Sequence, residues 1–308
     1  MPVRHEPVLL TEVLEALRPP REDGTIVDAT VGLGGHAEAL LQANPRIRLI
    51  AIDRDPEALE RSRERLRPFA DRVTFFRGRH ESLIDILKQS GTGEISGLLA
   101  DLGVSSMQLD DASRGFSFRF DAPLDMRMGP DSTPASELVR TLEERELAKI
   151  IRDYGEEPMA RRIAAAIVAA RAEAPIETTQ QLAEVIRSVK KPRLHQIDPS
   201  TLTFQALRIS ANGELKDLEM FVHEAAESLE IGARIAIISF HSLEDRIVKL
   251  AFRDLEGRCI CPPGMPVCGC GAKATVTILT GRPVTASEDE IERNPRSRSA
   301  KLRVAERV

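Results

Sequence analysis

The stretch Thr25-Ile-Val-Asp-Ala-Thr-Val-Gly-Leu-Gly-Gly-His36 constrains this chain more than any other. A short apolar strand runs into a glycine-rich turn, and the turn opens a helical pattern. A second apolar run, residues 47–52, ends at Asp53. Strand, glycine turn, helix, strand and terminal acid together make half of a nucleotide-binding α/β fold. Glycine adopts φ > 0 readily and lets backbone approach a ligand closely. A strand-terminal carboxylate can accept hydrogen bonds from both hydroxyls of a ribose. The expected ligand is a cofactor that carries an adenosine.

Gly32-Leu-Gly34-Gly35-His36-Ala37 fits the G-x-G-x-x-G/A dinucleotide pattern, with an acid about 20 residues on. Asp28, near the carboxyl end of the first strand, argues against a dinucleotide. A pyrophosphate brought to this turn would meet the repulsion of that carboxylate. S-adenosylmethionine has no phosphate, and its amino group and sulfonium are both positive. Asp28 therefore suits S-adenosylmethionine better than NAD.

At 308 residues the chain is long enough for two domains. Strands are expected at residues 25–29, 47–52, 73–76 and 97–102, with helical segments between them at 36–42, 56–67 and 82–89. This alternation implies a parallel sheet covered by helices. The next convincing strand, 233–240, comes about 130 residues later, far beyond an ordinary crossover. Helical periodicity at 142–154, 158–172, 179–190 and 202–209 fills the gap and marks an insertion at 105–205, leaving 1–104 and 206–308 as the sheet domain. An amphipathic helix at 215–229 leads back to the sheet, and strands at 274–279 and 301–305 follow. No apolar run approaches the ~20 residues of a membrane span, and the N-terminus lacks an apolar signal core, so the expected location is the cytoplasm, with no membrane partner. Net charge is −5, so any RNA contact must come from a local patch. The best such patch is Arg293, Arg296, Arg298, Lys301 and Arg303, with Lys190-Lys191-Pro-Arg193 second.

Four long segments go beyond fold-level likeness. They are Val31–His36; Asp101-Leu-Gly-Val-Ser-Ser-Met-Gln-Leu-Asp110; Arg114-Gly-Phe-Ser-Phe118 with Pro123-Leu-Asp-Met-Arg-Met128; and Ile238-Ser-Phe-His-Ser-Leu-Glu-Asp-Arg-Ile-Val-Lys249. Thr203-Phe-Gln-Ala-Leu-Arg208 and Asn294-Pro-Arg-Ser-Arg-Ser-Ala-Lys-Leu-Arg303 add to them. Together they closely resemble the MraW family of ribosomal RNA small subunit methyltransferases, from Pro7 to Arg307. The resemblance implies a class I S-adenosylmethionine-dependent methyltransferase, an α/β fold with a Rossmann-like seven-stranded sheet and an inserted all-helical domain. It also implies methylation of the N4 amine of one decoding-centre cytidine of 16S rRNA within the small ribosomal subunit. The cofactor contacts it implies are Gly34, Gly35 and His36 in the glycine turn, Asp53 at the ribose, His80 near the adenine, Asp101 and Gln108. Family members often carry an aromatic where His80 stands; the imidazole keeps a planar ring.

Asp101 ends the fourth strand, where related amine methyltransferases place an acidic or polar motif. It is the candidate catalytic acceptor for the amine N–H as well as a cofactor contact. Phe116, Phe118 and Phe120 alternate with period two, which suggests an extended ribbon. Two of the three are assigned to packing, and one could stack on an extruded cytosine. Asp125 and Arg127 could bind a base edge or pair with each other. Ser242 with Asp245 reads as a capping box, and His241 stands at the sheet edge in either a substrate-side or a structural role. Cys259, Cys261, Cys268 and Cys270 form two C-x-C pairs that could wrap zinc, although the usual knuckle is C-x2-C; no metal is assigned to the reaction. Two other functions compete: an NAD-dependent oxidoreductase, against which Asp28 counts, and a ribosome-assembly factor that binds S-adenosylmethionine without essential catalysis.

Overall fold

The computed structural model describes residues 6–192, 197–257 and 273–308. They form two compact units, 1–103 with 216–308, and 104–215. The four cysteines and Arg193 lie outside the described residues, and the zinc expectation with them.

The first unit begins with α1 (Leu10–Ala16), β1 (Thr25–Asp28), α2 (Gly35–Ala43), β2 (Arg48–Asp53), α3 (Pro56–Arg65), β3 (Val73–Arg77), α4 (Leu83–Ser90) and β4 (Ile95–Asp101). The second unit holds α5 (Ser106–Asp110), α6 (Ala135–Thr141), α7 (Glu144–Gly155), α8 (Ala160–Glu173), α9 (Thr179–Val189) and α10 (Ser200–Asn212). The chain then returns through α11 (Leu218–Glu227), β5 (Leu229–Ser239), α12 (Ser242–Leu255), β6 (Val276–Ile278), α13 (Glu288–Arg293) and β7 (Lys301–Arg307).

The sheet order is β3-β2-β1-β4-β5-β7-β6. Strands β1 to β5 pair in parallel, and β7 is antiparallel to both β5 and β6. The six residues of β4 before Asp101 are all buried, as expected of a central strand covered on both faces. Chain order reverses between β1 and β4, so the carboxyl ends of those strands flank the crevice where open α/β sheets bind ligands. A cluster including Leu9, Ile26, Leu40, Leu49, Leu99 and Val304 fills one face of this sheet.

The second unit has its own core, in which Leu147, Ile151, Ile163, Ile167, Leu182 and Leu207 are all fully buried. Helix α10 runs past residue 205, so a boundary drawn there cuts one helix in two. The expected ribbon at 114–121 does not form. A 3-10 turn, Ala112–Arg114, ends at Gly115 with φ +68°, and an irregular path follows. Phe116 enters the core, Phe118 meets Phe204 edge-on at 5.0 Å, and Phe120 is 58% exposed. Three rings at alternate positions thus meet three environments, where a strand would have put them on one face.

Candidate functional site

The site is built by strand register. Asp28 lies opposite Ala51 of β2 and Leu99 of β4. Asp53 and Asp101 each come two residues further along their strands. Side chains alternate along a strand, so the three acids share one face at adjacent carboxyl ends.

Between β1 and α2 the turn carries Gly32 at φ +50° and Gly34 at φ +75°. The Gly32 N–H donates to Asp53 Oδ2 at 2.8 Å, and the Val31 N–H donates to the Ile52 carbonyl at 2.8 Å. These two bonds tie the turn to the end of β2. Gly34 caps α2 from the left-handed region, a conformation that costs a side chain ~1 kcal/mol or more. Gly35 is fixed by space instead: a Cβ there would come 2.5 Å from Pro7 Cγ. At the first turn of α2 the backbone N–H groups have no intrahelical acceptor, which favours an anionic ligand group there.

The imidazole of His36 is buried and turned inward. Its Nε2 lies 2.8 Å from the Val8 carbonyl, and its Nδ1 lies 3.9 Å from Asp101 Oδ2. The Thr30 hydroxyl accepts from the Asp101 N–H at 2.6 Å and fixes the strand end. Asp101 Oδ1 is buried and has no hydrogen-bond partner among the described residues.

Electrostatics set these acids apart. Burial pushes Asp101 up to about 8, and the nearby charges of Asp28 and Glu244 push the same way. Burial likewise raises Asp28 to about 7, against the Thr30 N–H bond, with Asp53 adding to the rise. Burial raises Asp53 to about 6, offset by backbone N–H bonds from Asp55 and Gly32. No cation appears among the causes for Asp28 or Asp101. Buried carboxylates held near one another call for a positive partner.

His80 follows β3, where the Gly78 N–H donates to the Asp53 carbonyl at 3.0 Å. Burial lowers His80 to about 4, so its ring is neutral at physiological pH. It stands edge-on to Phe221 at 4.8 Å. Its Nε2 is buried, 3.6 Å from Glu81 Oε2, with no hydrogen-bond partner among the described residues.

Six of the seven residues named from the sequence thus belong to the first unit, at the ends of β1 to β4. Gln108 belongs to the second unit. Its Oε1 accepts from the Ser105 N–H at 3.0 Å, closing a capping box at the start of α5.

The capping box expected at Ser242 and Asp245 sits one residue earlier. His241 is the N-cap of α12, and Glu244 supplies the reciprocal carboxylate. Glu244 is buried and accepts from the Phe240 N–H at 2.9 Å. Asp245 turns the other way and takes Arg303 Nε at 2.6 Å and Lys301 Nζ at 3.5 Å. The expected basic patch therefore loses two members, since Arg303 is buried and both are paired. Arg293 lies 3.8 Å from Glu6, and Lys190 is bound to the buried Glu157 at 2.6 Å. Asp125 and Arg127 pair with each other through two bonds of 2.8 Å. Sequence reasoning missed Glu244 as a neighbour of Asp101. The available signal was a histidine followed three residues later by glutamate at a strand-to-helix junction.

A seven-stranded sheet of this order, a glycine turn and a set of uncompensated buried acids define a class I S-adenosylmethionine-dependent methyltransferase. The match to the MraW methylase family model spans residues 2–308, and the chain belongs to that family. It is 49% identical over 313 residues to the ribosomal RNA small subunit methyltransferase H of Heliobacterium modesticaldum, with all of both chains covered. It is 50% identical to the protein of the same name from Trichlorobacter lovleyi, covering 99% of this chain and 98% of the relative. The crystal structure of a putative methyltransferase from Streptococcus mutans in complex with SAH is similar at a TM-score of 0.41 and 13% identity, over 97% and 95% of the two chains. So distant a likeness supports nothing further.

The residues present fit S-adenosylmethionine. Its positive charge answers the buried acids, and the unpartnered Asp101 Oδ1 marks where a polar ligand group is needed. No helix among the described residues is long and apolar enough to cross a membrane.

Proposed function

We propose that this chain methylates the N4 amine of a decoding-centre cytidine of 16S rRNA within the small ribosomal subunit. The relatives' shared name supports the RNA class, and the motifs at 101–110 and 114–128 support the cytidine. The observation that carries the reaction is Asp101 Oδ1, a buried carboxylate oxygen with no partner at the end of β4.

S-adenosylmethionine supplies an electrophilic methyl group on a positively charged sulfur. The chain does the rest. Gly34, Gly35 and the backbone of His36 hold the cofactor at the start of α2. Asp53 accepts the ribose hydroxyls with the lone pairs not taken by Gly32 and Asp55. The neutral ring of His80 offers a flat face for the adenine. A cytosine amine is a poor nucleophile, because its lone pair is delocalised into the ring. Asp101, once ionised, accepts an amine N–H through Oδ1, draws the lone pair out of conjugation and takes the proton as the methyl group transfers. Holding amine and methyl group in line supplies the remainder of the rate gain.

The test is to incubate the protein with isotopically labelled S-adenosylmethionine and unmodified 30S subunits, with free 16S rRNA in parallel. The RNA is then digested and its nucleosides are resolved by mass spectrometry. Labelled N4-methylcytidine is the expected product. Absence of label from both RNAs, with cofactor binding demonstrated, would reject the enzymatic reading and favour an assembly factor that binds the cofactor without catalysis.

A further inference from the structure

A carboxylate that must accept one proton through one oxygen needs its other oxygen held. Among the described residues, the ionisable side chains of Asp28, Glu244 and His36 act on that of Asp101. Asp28 from β1 and Glu244 from α12 are acids whose charges disfavour its ionised form. The third is His36 from α2, whose Nδ1 faces Asp101 Oδ2 at 3.9 Å.

The His36 ring is held in place. Its Nε2 lies 2.8 Å from the Val8 carbonyl, and a carbonyl only accepts, so Nε2 carries a proton. Nδ1 faces the acid, and it can donate there only when the ring is an imidazolium. Val8 is itself fixed from both sides. The Leu9 N–H donates to the buried Glu290 Oε1 at 2.8 Å, and the Glu6 carbonyl accepts from Asn294 Nδ2 at 3.2 Å. Pro7 fills the space that a side chain on Gly35 would need. Residues 6–9 thus strap the glycine turn to α13 and set the plane of the His36 ring. Arg65 from α3, beside the turn, is paired with Glu38 at 2.7 Å.

We propose that His36, as an imidazolium in the loaded enzyme, is a positioning residue for Asp101: its Nδ1–H holds Oδ2, keeps the carboxyl ionised and leaves Oδ1 to the substrate amine. This rests on the methyl-transfer reading above. The 3.9 Å separation closes by side-chain rotation, as acid–base contacts commonly tighten in the loaded enzyme. The step balances. The N4–C bond forms as the S–C bond breaks, and sulfur keeps the electron pair. The N4–H bond breaks, and its proton goes to Asp101 Oδ1. A sulfonium, a neutral amine and a carboxylate become a thioether, a neutral N-methyl amine and a carboxylic acid.

Two measurements test this. The first needs no RNA. Nitrogen-15 spectra of the histidine rings are recorded at pH 7 on the full chain, alone and with S-adenosylmethionine. Wild type with cofactor is expected to show both His36 nitrogens protonated, and Asp101→Asn only Nε2. Identical ring spectra for the two proteins would overturn the proposal. The second separates positioning from packing. His36→Gln keeps an amide where Nε2 stood and so keeps the Val8 bond, whereas His36→Asn keeps an amide where Nδ1 stood. His36→Gln should lose at least about tenfold in kcat, and the acidic limb of its pH profile should move up by about one unit. His36→Asn should recover most of kcat while melting at a lower temperature. Equal losses with an unmoved limb would mean a packing role only. Failure of wild type to methylate any small-subunit substrate would sink the function but leave the ring spectra to judge the pair.

Discussion

Cofactor affinity should rise with pH across the neutral range, and Asp101 sets how steeply. In the cofactor-free chain this carboxyl is raised to about 8 by burial, then by the charges of Asp28 and Glu244. A bound sulfonium favours the ionised form, so binding must expel the proton. If the bound state is fully ionised, the penalty factor is about 100 at pH 6 and about 4 at pH 7.5. Asp101 alone then makes affinity climb about 25-fold over that range, or ~1.9 kcal/mol. Asp28, raised to about 7, steepens the climb, and the coupled acids titrate as a set. Isothermal calorimetry in two buffers of different ionisation enthalpy reads both the affinity and the protons released. At pH 7 Asp101 should contribute about 0.9 proton, which Asp101→Asn should remove. S-adenosylhomocysteine, which lacks the sulfonium charge, should show a shallower slope. Affinity that stays level or falls between pH 6 and 7.5, with no buffer-dependent heat, would refute the charge reasoning.

The same acids bear on folding with a definite sign. Asp28 and Asp101 are raised above the unfolded value of 3.8, so their contribution is fully present below that value and is lost as pH rises toward 8. Asp101→Asn should therefore melt above wild type at pH 8, and the gap should shrink toward pH 5 in thermal scans without cofactor. In Asp245, burial pushes the carboxyl up, but Arg303 and Lys301 outweigh it and hold it below the ordinary range. Asp245→Ala strands the buried Arg303 guanidinium and should cost about 3–5 kcal/mol in urea unfolding; the double change with Arg303→Met should recover most of that. Gly35→Ala drives a methyl group into Pro7 and should cost about 1–3 kcal/mol. Pro7→Ala on that background should restore the melting temperature if the clash is the cause.

Much of the sheet was legible because its strands are short apolar runs closed by glycine, proline or acid. The strands and most helices fall within a few residues of their expected places, since burial on both faces leaves little room for polar residues. Four helices, α1, α5, α6 and α13, were not anticipated. Each has only five to seven residues, too few turns for a helical period to stand out. The 114–121 ribbon failed for the opposite reason: a period of two was present, but no neighbouring strand was there to make it a strand. The charge of the 293–303 segment was likewise visible, while its partner Asp245 was about 60 positions away. A run of cations reads as a surface patch until a buried acid is found among them.

The glycine turn, Asp53 and Asp101 were legible as types of residue at strand ends, but their electrostatic coupling was not. Asp28 and Asp101 are 73 positions apart, and only the pairing of β1 with β4 sets them on one face. The consequence is chemical. A lone carboxylate at a strand end would stay ionised and bind a cation without proton exchange. Three carboxylates in one crevice cannot all ionise cheaply, so the empty site holds protons that the cofactor must displace. Asp101, the most strongly raised of the three, is also the proposed acceptor of the amine proton. Binding a cation makes it a base, and loss of the cationic charge on sulfur makes it willing to hold the proton it has taken. In the proposed turnover, the charge of the cofactor switches Asp101 from acid to base and back, with the His36 ring keeping Oδ2 in place.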